Sequence, residues 1–446
     1  MMSKIVQHLS RISRIRKGAI TTALLSALML VPAMVMAQAP STTHFQVLHA
    51  FNGSNGDSGF GSLILDAAGN MYGATLVGGD LNCVYSGLGC GVVFELSATG
   101  EEKILHKFKG SPDGALPMWG GNLTLDSQGN LYGLTNNGGV VACPGNGDGA
   151  CGTVFKIDST GHETVIYAFK GTNGDGNSPY GNVILDKSGN LYGTTSLGGT
   201  YNNGTVFKID TTGKETVLHS FAGSPDGAFP SGLVEDAAGN LYGATIEGGI
   251  AASGGPCGSF GCGTVFKLTK TGQETVLYRF TNSNGDGENP FTTLVLDKKG
   301  NLYGTTQTGG ISSCAQVADE CGIVFKVSQA GHETILYQFK GSPDGRQPFG
   351  PVVFDAAGNL YGATYWGGTG TECGTQVGCG TVFKLTKGGK ETVLHSFSGG
   401  KDGGVPFFGV AIDGAGNLYG TTQEGGNPKC QNNFGSGCGV VYKITQ

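Results

Sequence analysis

Short runs of apolar and β-branched residues, separated by glycine-containing turns, follow one another along the chain from about residue 44 onwards. They are clearest in one stretch, where NVILD (182–186), NLYGTT (190–195), TVFKI (205–209) and ETVLHSF (215–221) occur in succession. Such runs predict β-strands, and no helical periodicity occurs after residue 40. Each such stretch is therefore expected to form four antiparallel strands.

This four-strand unit recurs seven times. The phrase G-N-[LM]-Y-G marks each copy, and successive copies are 60, 60, 50, 61, 58 and 58 residues apart. Four antiparallel strands in a unit of this size are typical of a β-propeller blade. Its tyrosines are Tyr72, Tyr132, Tyr192, Tyr242, Tyr303, Tyr361 and Tyr419.

The two ends of the repeat region are offset in a way that closes a ring. HFQVLHAF (44–51) matches the fourth strand of a unit, whereas the last unit ends with GVVYKI (439–444), which matches a third strand. Pairing the two leaves no open sheet edge. The sequence thus predicts an all-β, seven-bladed β-propeller over 44–446, with four antiparallel strands per blade and the N-terminal strand closing the last blade.

One tight turn, D-x-x-G-N, joins the first two strands of every unit. Its Asp can hydrogen-bond the turn backbone, and its Gly can adopt the positive φ that a short hairpin needs. We interpret these aspartates as turn residues and not as catalytic acids: Asp66, Asp126, Asp186, Asp236, Asp297, Asp355 and Asp413.

Residues 1–37 have the features of a signal peptide. A basic segment precedes the apolar run 19–37, which ends in small residues, so cleavage is expected after Ala37 or Ala39. The alternative is an uncleaved anchor. Residues 38–43 would be a short linker. Cleavage removes five cations and no acid and takes the formal net charge from −6 to −11. That charge argues against binding nucleic acid or an anionic membrane.

Cysteines occur only where the loop between the second and third strands is long. This loop has ten residues in the third unit and 17 to 19 in the other six, which carry all 12 cysteines, two per loop. A long glycine-rich loop gains from a crosslink, and an exported chain meets an oxidising compartment. The expected disulfides are Cys83–Cys90, Cys143–Cys151, Cys257–Cys262, Cys314–Cys321, Cys373–Cys379 and Cys430–Cys438.

Metal binding is the competing interpretation of these cysteines. Structural zinc usually takes four ligands from closely spaced Cys and His, and these loops offer two Cys each with no nearby His. We therefore expect no metal. The links between blades contain one Asp each, which favours turns over calcium sites, although Ca²⁺ remains an alternative. These are Asp57, Asp113, Asp175, Asp226, Asp286, Asp344 and Asp402.

Antiparallel strand order places the long loops and the links on one face, which we call the loop face. An aromatic residue follows each link, usually beside a Pro, and either lines the central funnel or seals the seams between blades. These are Phe60, Trp119, Tyr180, Phe229, Phe291, Phe349 and Phe407. Trp119 and Trp366 are the only tryptophans, and an exposed Trp suits a sugar ring or a protein partner. The candidate ligand-binding set is Trp119, Trp366, Tyr180, Phe291, Phe349, Phe407 and Arg346.

Catalysis requires residues that break the sevenfold symmetry. Histidines and G-x-E-T glutamates that recur from blade to blade are more readily structural. The symmetry-breaking charged residues contain no nucleophile motif or phosphate loop, and no pair of acids is singled out, so we assign no catalytic residue. They are Asp80, Asp148, Glu247, Glu288, Asp319, Glu320, Arg346, Glu372, Glu424 and Lys429.

Three phrases recur in fixed order over 44–446: G-N-L-Y-G-T-T-x-x-G-G, G-T-V-F-K-[IL] and G-x-E-T-V-L-H-S-F. They resemble the GloVer-type tandem repeats of exported bacterial proteins, and the D-x-x-G-N-L-Y hairpin is similar, more weakly, to NHL-type propellers. The resemblance implies export and a repeat propeller but no particular activity.

We therefore expect a secreted or periplasmic monomer with no cofactor and no membrane anchor after signal cleavage. It would be a non-catalytic protein that binds a glycan or an extracellular protein through the disulfide-containing loop face. The alternatives are a glycan-active lyase or hydrolase that uses acids on the same face, and a structural surface protein.

Overall fold

A computed structural model describes residues 43–83, 88–117, 122–139, 143, 151–250, 257–311, 314, 321–373, 378–430 and 436–446. The expected signal peptide and nearly all of the linker lie outside these residues. Every regular element in the described part is a β-strand, which confirms the all-β prediction. No helix in the described part is long and apolar enough to cross a membrane.

The strands form seven antiparallel blades, as predicted. Blade 1 comprises Asp57–Gly59, Ile64–Leu65, Met71–Val77, Val92–Leu96 and Glu102–Lys107, and blade 2 comprises Ala115–Pro117, Thr124–Leu125, Leu131–Asn137, Thr153–Ile157 and Glu163–Ala168. Blade 3 comprises Gly176–Leu185, Leu191–Gly198, Thr205–Ile209 and Glu215–Ser220. Blade 4 comprises Gly227–Glu235, Leu241–Gly248, Thr264–Leu268 and Glu274–Arg279.

The first strand is split into short pieces in blades 5 and 6, as it is in blades 1 and 2, and it is shortened in blade 7. Blade 5 comprises Gly287–Glu288, Val295–Leu296, Leu302–Thr306, Thr308–Gly309, Ile323–Val327 and Glu333–Gln338. Blade 6 comprises Gly345–Arg346, Val353–Phe354, Leu360–Thr364, Trp366–Gly367, Thr381–Leu385 and Glu391–Ser396. Blade 7 comprises Ala411–Ile412, Leu418–Thr421, Val440–Thr445 and the N-terminal strand His44–Ala50.

The N-terminal strand closes the ring. His44–Ala50 is the outer strand of blade 7 and pairs antiparallel with Val440–Thr445, from His44 opposite Thr445 to Ala50 opposite Val440. The first and last parts of the chain thus share one sheet, which confirms the predicted closure.

The core lies between adjacent blades. The Phe of each T-V-F-K strand is fully buried and packs edge-on against the Phe that ends the fourth strand of the preceding blade, as Phe155 does with Phe108 at 5.1 Å. Edge-to-face aromatic pairs stabilise by about 0.5–1.5 kcal/mol beyond the burial of their area. Repetition of this contact from blade to blade joins the blades into one body.

The D-x-x-G-N hairpins form the short-turn face, opposite the loop face. In blade 3, Asp186 Oδ1 accepts the backbone N–H groups of Ser188 and Asn190, while Oδ2 accepts the Asn190 amide and the Tyr192 hydroxyl. The Tyr hydroxyl donates to this Asp in all seven blades, at 3.0–3.2 Å. These aspartates are turn residues, as predicted, and the repeated Tyr is their partner.

Candidate functional site

The six expected disulfides all form, and every one of the 12 cysteines is paired. The second Cys of each pair is fully buried. Its carbonyl oxygen accepts a hydrogen bond from the next blade, as Cys90 does from the N–H of Leu116 at 3.0 Å. Six disulfides are typical of a protein outside the cytoplasm.

The short loop of blade 3 reaches the same seam without a disulfide. Here the carbonyl oxygen of Asn203 accepts the N–H of Phe229 at 2.9 Å. A loop of ten residues is short enough to keep this carbonyl oxygen in place. In the longer loops, the accepting carbonyl oxygen belongs instead to a disulfide-bonded Cys. This geometry explains why cysteines accompany only the long loops.

The aspartates of the links are bound within the protein. Asp113 lies 3.2 Å from His106 Nε2 and accepts the N–H of Lys109, and Asp175 is bound in the same way by Tyr167 and Lys170. The pairs Asp226–His219, Asp286–Tyr278, Asp344–Tyr337 and Asp402–His395 repeat the arrangement. These contacts fit the predicted turn role.

The first link departs from this pattern. Asp57 is buried in the first strand of blade 1, where its carboxylate accepts the Ser58 hydroxyl. His49 instead contacts Asn55 and Glu102. The prediction of one Asp in each link is therefore wrong for Asp57.

His106, Asp113 and Glu163 bring three possible metal-ligand atoms within 4.8 Å of one another at the seam of blades 1 and 2. The His106–Asp113 contact already stabilises the cluster through protein groups. Asp57, Cys430 and Cys438 form a second such group, but both cysteines are in a disulfide and cannot act as thiolate ligands.

Four of the aromatic candidates contact one another along the innermost strands. The Phe291 ring is 5.8 Å from Tyr180 and 5.5 Å from Phe349, and Phe349 stacks on Phe407 at 4.7 Å. Phe407 also packs on Phe60 at 4.6 Å. Tyr180 in blade 3 reaches Phe291 in blade 5, so the rings fill the channel between them. Trp119 lies outside the described residues.

Phe229 does not belong to this aromatic row. It precedes Pro230, whereas Tyr180, Phe291, Phe349 and Phe407 directly follow the corresponding proline. Ser231 takes the channel position in blade 4. The Ser231 hydroxyl donates to the carbonyl oxygen of Thr292. Of the two alternatives for these aromatics, lining the funnel is wrong for Phe229, because the register places it one step earlier. It lies at the seam with blade 3, where its N–H donates to the Asn203 carbonyl oxygen.

The aromatic row ends in a group of residues at blades 6 and 7. The Tyr365 ring lies 5.3 Å from Phe407 and 4.5 Å from Trp366, which is partly exposed. Arg346, only 4% exposed, is the cross-strand neighbour of Trp366. Trp366 and Arg346 are thus adjacent, as a shared site requires.

Glu424 adds a buried carboxylate near Tyr365, and the buried amide of Gln423 precedes it in blade 7. Glu424 is 7% exposed, and its carboxylate has no hydrogen-bond or ion-pair partner among the described residues. Burial raises the pKa of Glu424 to about 7. Burial and the charge of Glu424 raise the pKa of Tyr365 to about 12. Gln423 is 3% exposed, and its Oε1 has no partner in the described chain.

We call Tyr365, Trp366, Phe407 and Glu424 the blade 6–7 mouth. Flat rings beside oxygen acceptors that lack protein donors suit a ligand that carries hydroxyl groups on a ring. Sequence reasoning selected Trp366 and Phe407, and it noted Glu424 only as a symmetry-breaking acid. Tyr365 and Gln423 were missed, although the two residues after the last Thr of the second strand differ in every blade.

The family model described as the Gloeobacter/Verrucomicrobia repeat matches residues 33–174, 141–317 and 251–446. No curated protein matches the chain. Two similar structures are extracellular domains of B. thetaiotaomicron proteins. The first protein is assigned as a one-component system and the second as a hybrid two-component system. The first has 11% identity and a TM-score of 0.51, and the second has 15% identity and a TM-score of 0.50.

The match covers 90% and 91% of this chain but 42% and 41% of those two chains, so this chain spans less than half of their length. A gluconolactonase from Xanthomonas campestris is also similar, with 12% identity and a TM-score of 0.40 over 72% of this chain and 86% of that chain. At these identities the similarity to the extracellular domains shows the propeller fold.

Proposed function

The chain belongs to the Gloeobacter/Verrucomicrobia repeat family, and from this premise we propose that it is an exported, non-catalytic propeller that binds a glycan at the blade 6–7 mouth. Export to the periplasm or the medium follows from the expected signal peptide and the disulfides. The proposal rests above all on one observation: the Tyr365–Trp366 pair lies beside the buried Glu424 carboxylate at a single seam of the ring.

The chemistry of the mouth favours a sugar over an apolar ligand. A buried carboxylate or amide oxygen without a donor costs about 1–3 kcal/mol, and ligand hydroxyl groups would recover that cost. The partly exposed Trp366 offers a flat apolar face to a sugar ring.

Exposed hydrophobic side chains in blades 1, 3 and 4 also favour the loop face as an interaction surface. The large hydrophobic side chains that stand exposed in the described chain are Leu81, Tyr201, Ile250 and Phe260, and all four lie in loops between second and third strands. Exposed apolar groups gathered on one face are typical of an interaction surface.

The test is a glycan array probed with the oxidised mature protein. We expect a restricted set of glycans to bind and binding to be lost in Trp366→Ala and Glu424→Gln. Glu247→Gln is the matched control, because Glu247 holds the position of Glu424 in blade 4. No binding on the array, or equal loss in the control, would reject the proposal. Capture of an envelope protein through Trp366 would instead indicate a protein ligand.

Glu424 also supports a second candidate, a glycan-active lyase or hydrolase. A carboxyl group with a pKa near neutrality can act as a general acid, and Tyr365 is its neighbour. This candidate requires turnover of a bound polysaccharide that Glu424→Gln abolishes while binding persists. Binding without turnover favours the first candidate.

A further inference from the structure

A cavity of about 820 Å³ lies on the short-turn face, between blades 5 and 6. Its walls include the hairpin turn 297–301 of blade 5 and the turn 386–389 of blade 6. Its volume is within the usual range of about 300–1,000 Å³ for small-molecule sites. It is separate from the blade 6–7 mouth, which belongs to the loop face.

The floor of this cavity is apolar and aromatic. Tyr303 and Phe354 meet edge to face at 5.0 Å, with Leu296, Leu336 and Leu360 around them. No other blade has an aromatic residue at the position of Phe354. The sister residues are Leu65, Leu125, Leu185, Glu235, Leu296 and Ile412.

In the blade whose Tyr contacts Phe354, the lysine of the third strand is placed differently from the corresponding lysines of other blades. In the third strands of five other blades the Lys ammonium lies 5.2–5.8 Å from the centre of the blade's repeated Tyr ring. Lys326 makes no such contact with Tyr303 among the described residues, and it lines the cavity. Its positive charge is thus available to an occupant of the cavity.

Three further lysines complete the rim. Lys298 and Lys299 are exposed in the hairpin of blade 5, where blade 4 has Ala237 and Ala238. Lys387 lies across the turn of blade 6, with its Cε close to Gly358. None of the four lysines forms an ion pair in the described part of the chain.

The two aspartates that line the cavity do not neutralise these lysines by contact. Asp297 accepts the N–H groups of Lys299 and Asn301, the Asn301 amide and the Tyr303 hydroxyl. Asp355 is bound in the same way by Asn359 and Tyr361. With four cations and two acids, the lining has a formal charge of +2 in a chain of net charge −6.

We infer that this lysine cavity binds a small amphipathic anion, in which a flat apolar body lies on Phe354 and Tyr303 and an anionic group contacts the lysines. Lysine ammonium groups form charge-assisted hydrogen bonds with carboxylate, sulfonate or phosphate oxygens. A flat body is favoured because the floor is formed by ring surfaces. The site does not depend on glycan binding at the loop face.

The test uses 8-anilinonaphthalene-1-sulfonate, an anion with a flat naphthalene ring whose fluorescence rises on binding, with the oxidised mature protein. We expect saturable binding with one site per chain and weaker binding at higher salt. The double variant Lys298→Ala/Lys299→Ala should weaken affinity at least about tenfold, which corresponds to about 1.4 kcal/mol. Phe354→Leu, which restores the residue of sister blades, should also weaken it.

Lys187→Ala is the matched control, because Lys187 holds the position of Lys298 in blade 3 and does not line the lysine cavity. It should leave affinity unchanged. Unchanged urea midpoints would establish that all variants are folded. Absence of saturable binding, or equal loss in Lys187→Ala, would overturn the inference.

Competition then identifies the class of anion. Displacement of the dye by 1-naphthoate would indicate an aromatic carboxylate, and displacement by a digalacturonate would indicate an acidic sugar. The first result supports the inference, whereas displacement by the digalacturonate alone would contradict the flat apolar body. A dye that neither compound displaces would show that the cavity does not select this chemistry.

Discussion

The backbone N–H of Leu116 in blade 2 donates a hydrogen bond of 3.0 Å to the carbonyl oxygen of Cys90 in blade 1. An equivalent bond crosses every seam of the ring. The donors, which we call seam residues, are Ser58, Leu116, Ser178, Phe229, Asn289, Gln347 and Val405. All seven have φ between 52° and 58°, a conformation that residues other than Gly rarely adopt. At six of the seven seams, a disulfide-bonded Cys and a strained residue therefore share the same hydrogen bond, and at the seventh Asn203 takes the place of the Cys.

The double variant Cys83→Ser/Cys90→Ser should lower the free energy of unfolding. Loss of so short a crosslink is expected to cost about 2 kcal/mol, because the loop is no longer restrained in the unfolded chain. Urea unfolding of the oxidised protein measures this. An unchanged midpoint would show that the loop orders itself without the crosslink.

Gln347 tests the strain at the seam residues. Its φ of 52° suits Gly or Asn and opposes β-branched side chains. We expect Gln347→Val to destabilise by roughly 1 kcal/mol or more, and Gln347→Gly to be neutral or stabilising. Thermal unfolding compares the variants. A Gln347→Val variant that is more stable than Gln347→Gly would contradict the positive φ.

Tyr192→Phe tests the hairpin turn of blade 3. It removes the hydroxyl that donates to Asp186 at 3.2 Å, and a net loss of about 1 kcal/mol is expected. Tyr201→Phe is the control, since Tyr201 is 59% exposed. Equal effects of the two changes on the urea midpoint would argue against the hydrogen bond.

Stability should fall as pH rises from about 5 to about 8. Burial, followed by the charge of a neighbouring link aspartate, raises the pKa of Glu215, Glu274, Glu333 and Glu391 to about 7. The folded protein therefore holds protons that the unfolded chain has released. The stabilisation is complete below the unfolded pKa of 4.5 and is lost as pH passes through 7.

One group opposes this trend. Burial lowers the pKa of His49, which favours folding as pH rises towards 6.5. It is a single group against these four glutamates and Glu424, whose pKa burial also raises to about 7, so the net slope should remain negative. Urea midpoints at several pH values measure the slope, and Glu274→Gln should flatten it. A midpoint that rises with pH would contradict the raised glutamate pKa values.

The sequence predicted the blades, the closure and the disulfides because each is encoded by local repeated patterns. Hairpin turns such as Asp186 to Asn190 depend on neighbouring residues, and the His44–Thr445 pairing follows from counting strands. Contacts between repeats were harder to foresee. The His106–Asp113 pair joins a strand to a link, and only the folded geometry places the two together.

The candidate site was only partly predictable for the same reason. Trp366 stood out by residue type, but the proximity of Tyr365 to Phe407 and Glu424 depends on how blades 6 and 7 pack. Lys326 is identical in type to its sister lysines, so nothing in its own identity signals that it leaves the Tyr303 ring. Phe354, which contacts that ring, was the available signal.

Ligand binding at the blade 6–7 mouth is tested most directly by the fluorescence of Trp366. Trp119→Phe leaves Trp366 as the single tryptophan, and a glycan identified on the array can then be titrated against it. We expect a saturable change in emission with the affinity of the unaltered protein, and loss of that change in Glu424→Gln. An emission that stays constant while the glycan binds would place the ligand elsewhere and contradict the proposed site.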